Sequence, residues 1–357
     1  MLYANFAAIL FLLVSYVIPQ FKPTSIGYLA LLGLGFPILL LINILFIAFW
    51  LFRRPRFIVL SGLAILIGLP VVTDFFRFSL GEDAVDEEDD LIEVMTFNAH
   101  LFGVYDKENS TEKRDEIFEI LKGESPDIIC FQEFFHSDRK GYFTTKDSLL
   151  KFLPTKYYHE RYTHAVNGRN YFGVALFSKY KIINKGFIPF ESDVNNFCIY
   201  ADVVIKNDTV RVYNAHLQSI RFKPEDYAFV EDNKNQEEIK TGITRIAQRL
   251  KIAFQKRQTQ VEKVAESIKI CKYPVILCGD FNDTPVSYTY DTFSDLLKDS
   301  FREQGSGIGN TYNGAFPSFR IDYIFHSDTL QTDYYRTIKE DVSDHYPVVA
   351  GMHFKQP

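Results

Sequence analysis

The apolar run Pro274-Val275-Ile276-Leu277 leads into Cys278-Gly279-Asp280-Phe281-Asn282-Asp283, which places a carboxylate and an amide two residues apart at its end. In extended chain, residues i and i+2 face the same side, so Asp280 and Asn282 can address one ligand together. Gly279 lets the backbone bend or approach closely there. Gly-Asp and Asn-Asp are also ordinary turn pairs, and this stretch alone leaves a turn reading open. The arrangement recurs, however. Ile92 to Phe97 runs into Asn98 and His100, Asp127 to Phe131 into Gln132-Glu133, and Val210 to Tyr213 into Asn214 and His216. Asp322 lies within the apolar run Ile321 to Phe325, and Ser343-Asp344-His345 directly precedes Tyr346-Pro347-Val348-Val349. Asp, Glu, Asn and His at six strand-like ends, with no Cys among them, form a hard donor set that suits Mg²⁺ or Mn²⁺ better than zinc.

Together, Thr96-Phe97-Asn98, Phe131-Gln132-Glu133, Asn214-Ala215-His216-Leu217-Gln218-Ser219, Gly279-Asp280-Phe281-Asn282, Arg320-Ile321-Asp322-Tyr323 and Ser343-Asp344-His345-Tyr346-Pro347-Val348 resemble the endonuclease/exonuclease/phosphatase superfamily of metal-dependent phosphodiesterases and phosphomonoesterases. They stand in that family's order over roughly residues 91 to 354. The resemblance implies a four-layered α/β sandwich, two mixed sheets face to face with helices outside and a cleft at the loop ends. It also implies a divalent-metal-dependent hydrolase.

The chemistry assigns roles. Phosphate esters resist hydrolysis because an anionic centre repels nucleophiles and must expel a poor alkoxide, and a metal relieves both difficulties. Glu133 is the leading metal-ligand candidate, with Asn98 and Asp344 completing or orienting the site. Asp280 and Asn282 would position the attacking water and a phosphoryl oxygen, with Asp280 as general base. Asp322 would orient His345, either as an imidazolium facing the transition-state oxyanion or as the base itself, and both readings stay open here. His216 is a further donor to phosphoryl oxygens, as the resemblance implies. The apurinic endonuclease branch carries an Asp where this chain has His100, and a catalytic Tyr before an Asn where Tyr213 precedes His216. The first difference disfavours an abasic-site nuclease, and Tyr213 is a catalytic candidate that a core tyrosine would explain equally well. The His-Leu-Gln-Ser form at 216–219 looks more like the branch of bacterial sphingomyelinases and other phosphodiesterases.

Elements must position these groups. Short β-rich runs recur through the region. Helices are expected over Thr111 to Lys122 and over about Thr244 to Ile270, where Ile246, Leu250, Ala253, Val261, Val264 and Ile268 form a packing stripe. The polar stretch Ile220 to Lys240 reads as a long loop. The Tyr- and His-bearing segment Tyr157 to Tyr171 offers rings for a base, a sugar or a headgroup, or simply strand and turn.

The first 81 residues are of another kind. Segments 4–18, 28–52 and 57–73 are apolar with almost no charge, which predicts a transmembrane anchor of about three helices over 1–81, an acidic linker over 82–90 and a catalytic domain over 91–357. A signal peptide would explain only the first segment. Arg53, Arg54 and Arg56 lie between the second and third spans, against Lys22 alone in the preceding turn. The positive-inside rule then orients the Arg turn to the cytoplasm and the catalytic domain to the outer, periplasmic side of the cytoplasmic membrane.

The chain carries a net charge of −6, and its anchor contributes five basic residues against one acidic, which leaves −10 on the rest. That balance disfavours a dedicated duplex-DNA enzyme. The expected activity is therefore cleavage of a phosphodiester of lipid-headgroup or nucleic-acid type, with the bilayer as partner. A membrane-anchored nuclease or nucleotide phosphatase is the alternative. A non-catalytic phosphate-binding module is disfavoured because the acidic and His positions are all present. Cys130, Cys198, Cys271 and Cys278 sit in or beside apolar strands and read as small hydrophobes, with a Cys271–Cys278 bridge left open in an oxidising compartment.

Overall fold

The computed structural model describes residues 1–77, 91–105, 110–191, 195–223, 225–226, 236–314 and 319–355. The acidic segment 82–90 and much of the expected 220–240 loop lie outside the described residues. The chain divides into two compact units. One comprises Met1–Arg77, Gln218–Val261 and Asp283–Phe293, and the other Phe78–Leu217, Glu262–Asn282 and Ser294–Pro357.

In the first unit, α1 (Leu2–Val17), continued by a 3-10 turn to Gln20, and α2 (Phe36–Arg53) are long and apolar enough to cross a membrane. A third such span exists if α3 (Ile58–Ile67) and α4 (Leu69–Phe75), bent by 65° at their junction, count as one. The second apolar segment is shorter than its composition predicts. Residues 23–34 form separate short turns, Gly27 has φ +59°, and the helix restarts at Phe36 with Pro37 in its first turn. A buried polar chain ties the helices together. Asn5 Nδ2 donates to Ser61 Oγ (2.7 Å), Ser61 Oγ to Asn43 Oδ1 (3.0 Å), and Trp50 Nε1 to Asn5 Oδ1 (2.8 Å). In hydrocarbon each of these groups would cost several kcal/mol if unpaired, so the bonds fix which faces meet. They also gather the start of α1, the end of α2 and the start of α3 at one level.

The second unit is built on strands β1 (Ile92–Asn98), β2 (Ile128–Ser137), β3 (Tyr157–Val166), β4 (Asn170–Ser178), β5 (Lys181–Pro189), β6 (Phe197–Ile205), β7 (Asp208–His216), β8 (Val275–Asp280), β9 (Lys298–Asp299), β10 (Asp322–His326), β11 (Leu330–Thr337) and β12 (Val348–Phe354). They form two mixed sheets of order β11-β12-β1-β2-β4-β3 and β5-β6-β7-β8-β10-β9. Each sheet has one parallel pair at its centre, β1 with β2 and β7 with β8, whose registers bring Asn98 opposite Gln132 and His216 opposite Asp280. Side chains tie the sheets face to face: Gln132 Nε2 donates to Asn214 Oδ1 (2.7 Å), and Asn214 Nδ2 donates to the carbonyls of Phe131 (3.0 Å) and Ala175 (2.9 Å). Buried amides satisfied this completely are affordable where unpaired ones are not.

Helix α5 (Ser110–Glu124) covers the first sheet with Ile117 and Leu121, in a core that includes Phe97, Phe131, Phe134 and Leu149 of α6 (Thr145–Phe152). The sequence anticipated α5 to within two residues at each end, but not α6. Tyr157 to Tyr171 becomes β3, its turn and the start of β4, and β3 lies at the sheet edge. The four cysteines are free, so the Cys271–Cys278 pairing is not made.

Helix α7 (Gln236–Lys269) starts eight residues before its expected position. Its final turns belong to the second unit, where Ser267 meets Tyr213 at 3.0 Å. Its longer part belongs to the first unit. There Arg245 and Arg249 hold the buried Asp226 carboxylate at 2.7 and 2.8 Å, and α8 (Tyr288–Ser294) contributes Tyr290, whose hydroxyl donates to Asp74 (3.4 Å).

Candidate active site

Both central parallel pairs end at one edge of the sandwich, which is why residues far apart in sequence meet there. Asn98, closing β1, donates from Nδ2 to Asp280 Oδ2 at the end of β8 (3.0 Å), and its Oδ1 accepts the His100 N–H (3.1 Å). Asn282 donates to Asp280 twice, from its backbone N–H to Oδ1 (2.8 Å) and from Nδ2 to Oδ2 (3.0 Å). The expected pairing of Asp280 with Asn282 is therefore real, although Asn282 turns to reach it, at φ +54°. Gly279 has φ +150°, and a Cβ there would overlap the carbonyl of Ala215 on the neighbouring strand, so only glycine fits. Glu133 and His100 also have left-handed backbones, at φ +47° and +42°. Such conformations cost roughly 1–3 kcal/mol each and gather at sites where side-chain direction matters more than stability.

Across from Asp280, His345 Nδ1 lies 2.9 Å from Asp322 Oδ2, and its Nε2 lies 3.8 Å from Asp280 Oδ2. Burial alone would lower the His345 pKa, but Asp322, Asp280 and Asp344 outweigh it and push the value up to about 10. A carboxylate facing each ring nitrogen favours the protonated imidazolium form of His345. The Asp280 pKa is raised by burial and the nearby Asp322, against the opposing pull of His345 and His216. Ser343 supports the cluster by donating to the Asn98 carbonyl (2.9 Å), and the backbone N–H of Asp322 donates to Thr311 Oγ1 (3.0 Å).

His216 Nε2 lies 3.7 Å from Asp280 Oδ2 and 4.0 Å from Glu133 Oε1. Asp344 joins from the side through His100 Nδ1 (2.9 Å), and that bond together with the charges of His345 and His100 holds its pKa below the usual carboxylate range despite burial. The structure thus brings together Asn98, Glu133, His216, Asp280, Asn282, Asp322 and His345, with Asp344 adjoining. It does not bring Tyr213. Three residues before His216, that ring points to the opposite face of β7, is fully buried and bonds Ser267, so it is a core tyrosine. Sequence reading missed Thr311 and the strut roles of Gln132 and Asn214. Thr311 had no visible signal, whereas Asn214, two residues before His216, was placed by the strand period.

The donor set fits a divalent cation. Ligand atoms of Asp280, Asp322 and His345 lie within 4.8 Å of one another, and the buried Asp322 Oδ1 and His216 Nε2 have no hydrogen-bond partner. Glu133 and Asp344, each side chain 35% exposed, offer further carboxylate oxygens at the same site.

The sequence profile described as Endonuclease/Exonuclease/phosphatase family matches residues 95–345. The chain belongs to that family. A second profile, of a domain of unknown function, matches residues 1–75. No curated protein matches. Solved structures share the family fold at low identity. The human Nocturnin catalytic domain with bound sulfate has TM-score 0.54 and 20% identity, over 76% of this chain and 96% of its own. TDP2 of D. rerio complexed with single-strand DNA product has TM-score 0.52 and 18% identity, over 74% and 100%. The Bacteroides thetaiotaomicron mannosyl-6-phosphatase has TM-score 0.53 and 18% identity, also over 74% and 100%. At these identities the likeness is one of fold, and this family member must be read from its own site.

Proposed function

We propose that this protein is a membrane-anchored, Mg²⁺- or Mn²⁺-dependent phosphoester hydrolase that cleaves a phosphodiester by in-line attack of water. The observation that carries the reading is the pairing of a triply oriented Asp280 with a protonated His345 held by Asp322. Glu133, with Asn98 and Asp344, would hold the cation. When bound, it neutralises phosphate charge and stabilises the departing oxygen.

Because two carboxylates favour the protonated form of His345, we assign the base to Asp280, which three hydrogen bonds orient. Its carboxylate takes a proton from water while the water oxygen bonds to phosphorus and the ester P–O bond breaks; the departing alkoxide takes a proton from solvent and the Asp280 proton is returned to solvent, giving a phosphomonoester and an alcohol. A proton-bearing His345, with His216 beside it, faces the oxygens on which negative charge grows. The fold's relatives act on unlike molecules, and the net negative charge supports a lipid headgroup over long nucleic acid. Extracytoplasmic nucleotide or nucleic-acid cleavage is the second reading, supported by the nucleic-acid-bound relative. Purified full-length protein with Mg²⁺ should release headgroup from phospholipid or product from soluble phosphodiesters, and a chelator should abolish the turnover. Activity that survives full chelation would sink the metal-dependent reading.

The orientation is part of the proposal. Two features support a catalytic domain on the far side of the membrane from the Arg53–Arg54–Arg56 turn. The polar chain from Asn5 to Trp50 and Ser61 gathers the N-terminus with that turn. The segment between α1 and α2, in contrast, bonds the strongly charged α7, Thr24 donating to Gln258. With the Arg turn cytoplasmic, α7 lies outside. A cysteine placed in the 82–90 segment should then react with a membrane-impermeant thiol reagent in intact spheroplasts. Labelling only after lysis would reverse the orientation and bring intracellular nucleic acid to the head of the substrates.

A further inference from the structure

We propose that the N-terminal helical unit is a working part of the hydrolase, with segment 18–34 bracing the loops that follow the catalytic strands β7 and β8 and Arg257 as the positioning residue between them. The proposal rests on the hydrolase reading above. It begins with a backbone contact. A Cβ on Gly33 would overlap the carbonyl oxygen of Val286, so segment 18–34 docks at a point that admits only glycine without movement. Thr24 donates to Gln258 Oε1 from both its N–H (3.0 Å) and its hydroxyl (2.9 Å), Tyr28 OH bonds Gln248, and Lys251 Nζ lies 4.6 Å from the centre of the Tyr28 ring. Ile18, Pro23 and Leu34 close on Phe254 and Val286, leaving a cavity of only about 20 Å³.

One residue before Gln258, the buried Arg257 reaches inward. Its Nη1 donates to the Gln218 carbonyl (2.8 Å), its Nε to Asp283 Oδ2 (3.1 Å), and nearby Gln260 Oε1 accepts the Gln218 N–H (2.8 Å). Gln218 and Asp283 are the residues next in the chain after Leu217 and Asn282. Leu217 donates its N–H to the Asp280 carbonyl (3.0 Å) and accepts from Asn282 Nδ2 (3.1 Å), the same amide that orients the Asp280 carboxylate. A shift at Gln218 or Asp283 therefore reaches the general base within one or two residues. A tether needs only chain connectivity. Directed bonds from segment 18–34 to α7, and from α7 to the chain immediately after two catalytic strands, do more than hold the enzyme near a bilayer, and a 1 Å misplacement of a catalytic group costs about 10²-fold in rate.

The test uses full-length protein in phosphatidylethanolamine/phosphatidylglycerol vesicles with Mg²⁺ and the soluble probe bis(p-nitrophenyl) phosphate. Gly33→Leu is compared with Gly62→Leu, a helical glycine with open space around it. Thr24→Val with Gln258→Leu removes the dock without adding bulk, and Arg257→Lys is set beside Arg257→Met. Hydrogen exchange is read on amides 218–223 and 283–287. Gly33→Leu and the Thr24/Gln258 pair should speed exchange there and lower kcat about tenfold or more, with KM within about twofold, while Gly62→Leu changes neither. Arg257→Lys should retain more of kcat than Arg257→Met. Faster exchange with undiminished kcat overturns the brace, and unchanged exchange in both dock variants does the same. Wild-type protein that hydrolyses no phosphoester at all would instead remove the hydrolase reading.

Discussion

Asp280→Asn is expected to lower kcat by about 10²- to 10⁴-fold with KM changed much less, the largest effect of any single substitution here. The substitution keeps shape and volume but leaves no group able to take the proton from water. It also disturbs the local bonding, because Asp280 Oδ2 accepts from both Asn98 and Asn282, and an amide nitrogen at that position would face two donors. Stability should not fall in step with activity. Burial penalises the Asp280 charge more than any neighbour does, and relieving that penalty offsets the lost hydrogen bonds and the lost attraction of His345. Steady-state kinetics on bis(p-nitrophenyl) phosphate, run beside thermal unfolding, separates the two quantities. A variant within about threefold of wild-type kcat would rule out Asp280 as the base.

His345→Ala is expected to cost about 10²-fold or more in kcat, because a charged donor aimed at the developing oxyanion acts mainly in the transition state. Asp322→Ala should lose a large part of the same effect, since Asp322 orients the ring through Nδ1 and supplies much of the charge that keeps it protonated. If the two residues work as one device, the double variant is scarcely slower than His345→Ala alone. Full additivity would show that Asp322 acts independently, as it would if it were primarily a metal ligand.

Much of the site was legible because its residues stand at the ends of apolar runs, where a period of two predicts what faces together. Asp280 with Asn282 was readable in this way, whereas the pairing of Asp322 with His345 came through the family resemblance. The same period argues against Tyr213, which is an odd number of residues from His216 and so faces the opposite side of its strand. What joins one strand end to another was not legible. Nothing local to Asn98 says that it bonds Asp280, 182 residues away, and the sandwich itself was reached through family resemblance, not through periodicity. In the N-terminal unit, apolar content located the spans but not their ends. Residues 28–35 are as apolar as the helix that follows, yet Gly35 ends the short helical turn 31–34 and Pro37 opens a new helix, leaving 23–34 to dock on α7. The early start of α7 was hidden because its first two turns carry almost no apolar stripe.

The place of β12 bears on how the chain matures during synthesis. This strand lies between β11 and β1, so the first sheet cannot close until residues about 250 positions beyond β1 have emerged. Until then β1 pairs only with β2 and presents a bare edge of N–H and C=O groups, the kind that recruits another chain. Asp344 and His345 immediately precede β12, so the chemistry too is completed last. A product cut short before β12 therefore lacks part of the candidate site and keeps the adhesive edge, so the site is assembled only after these late residues have left the ribosome.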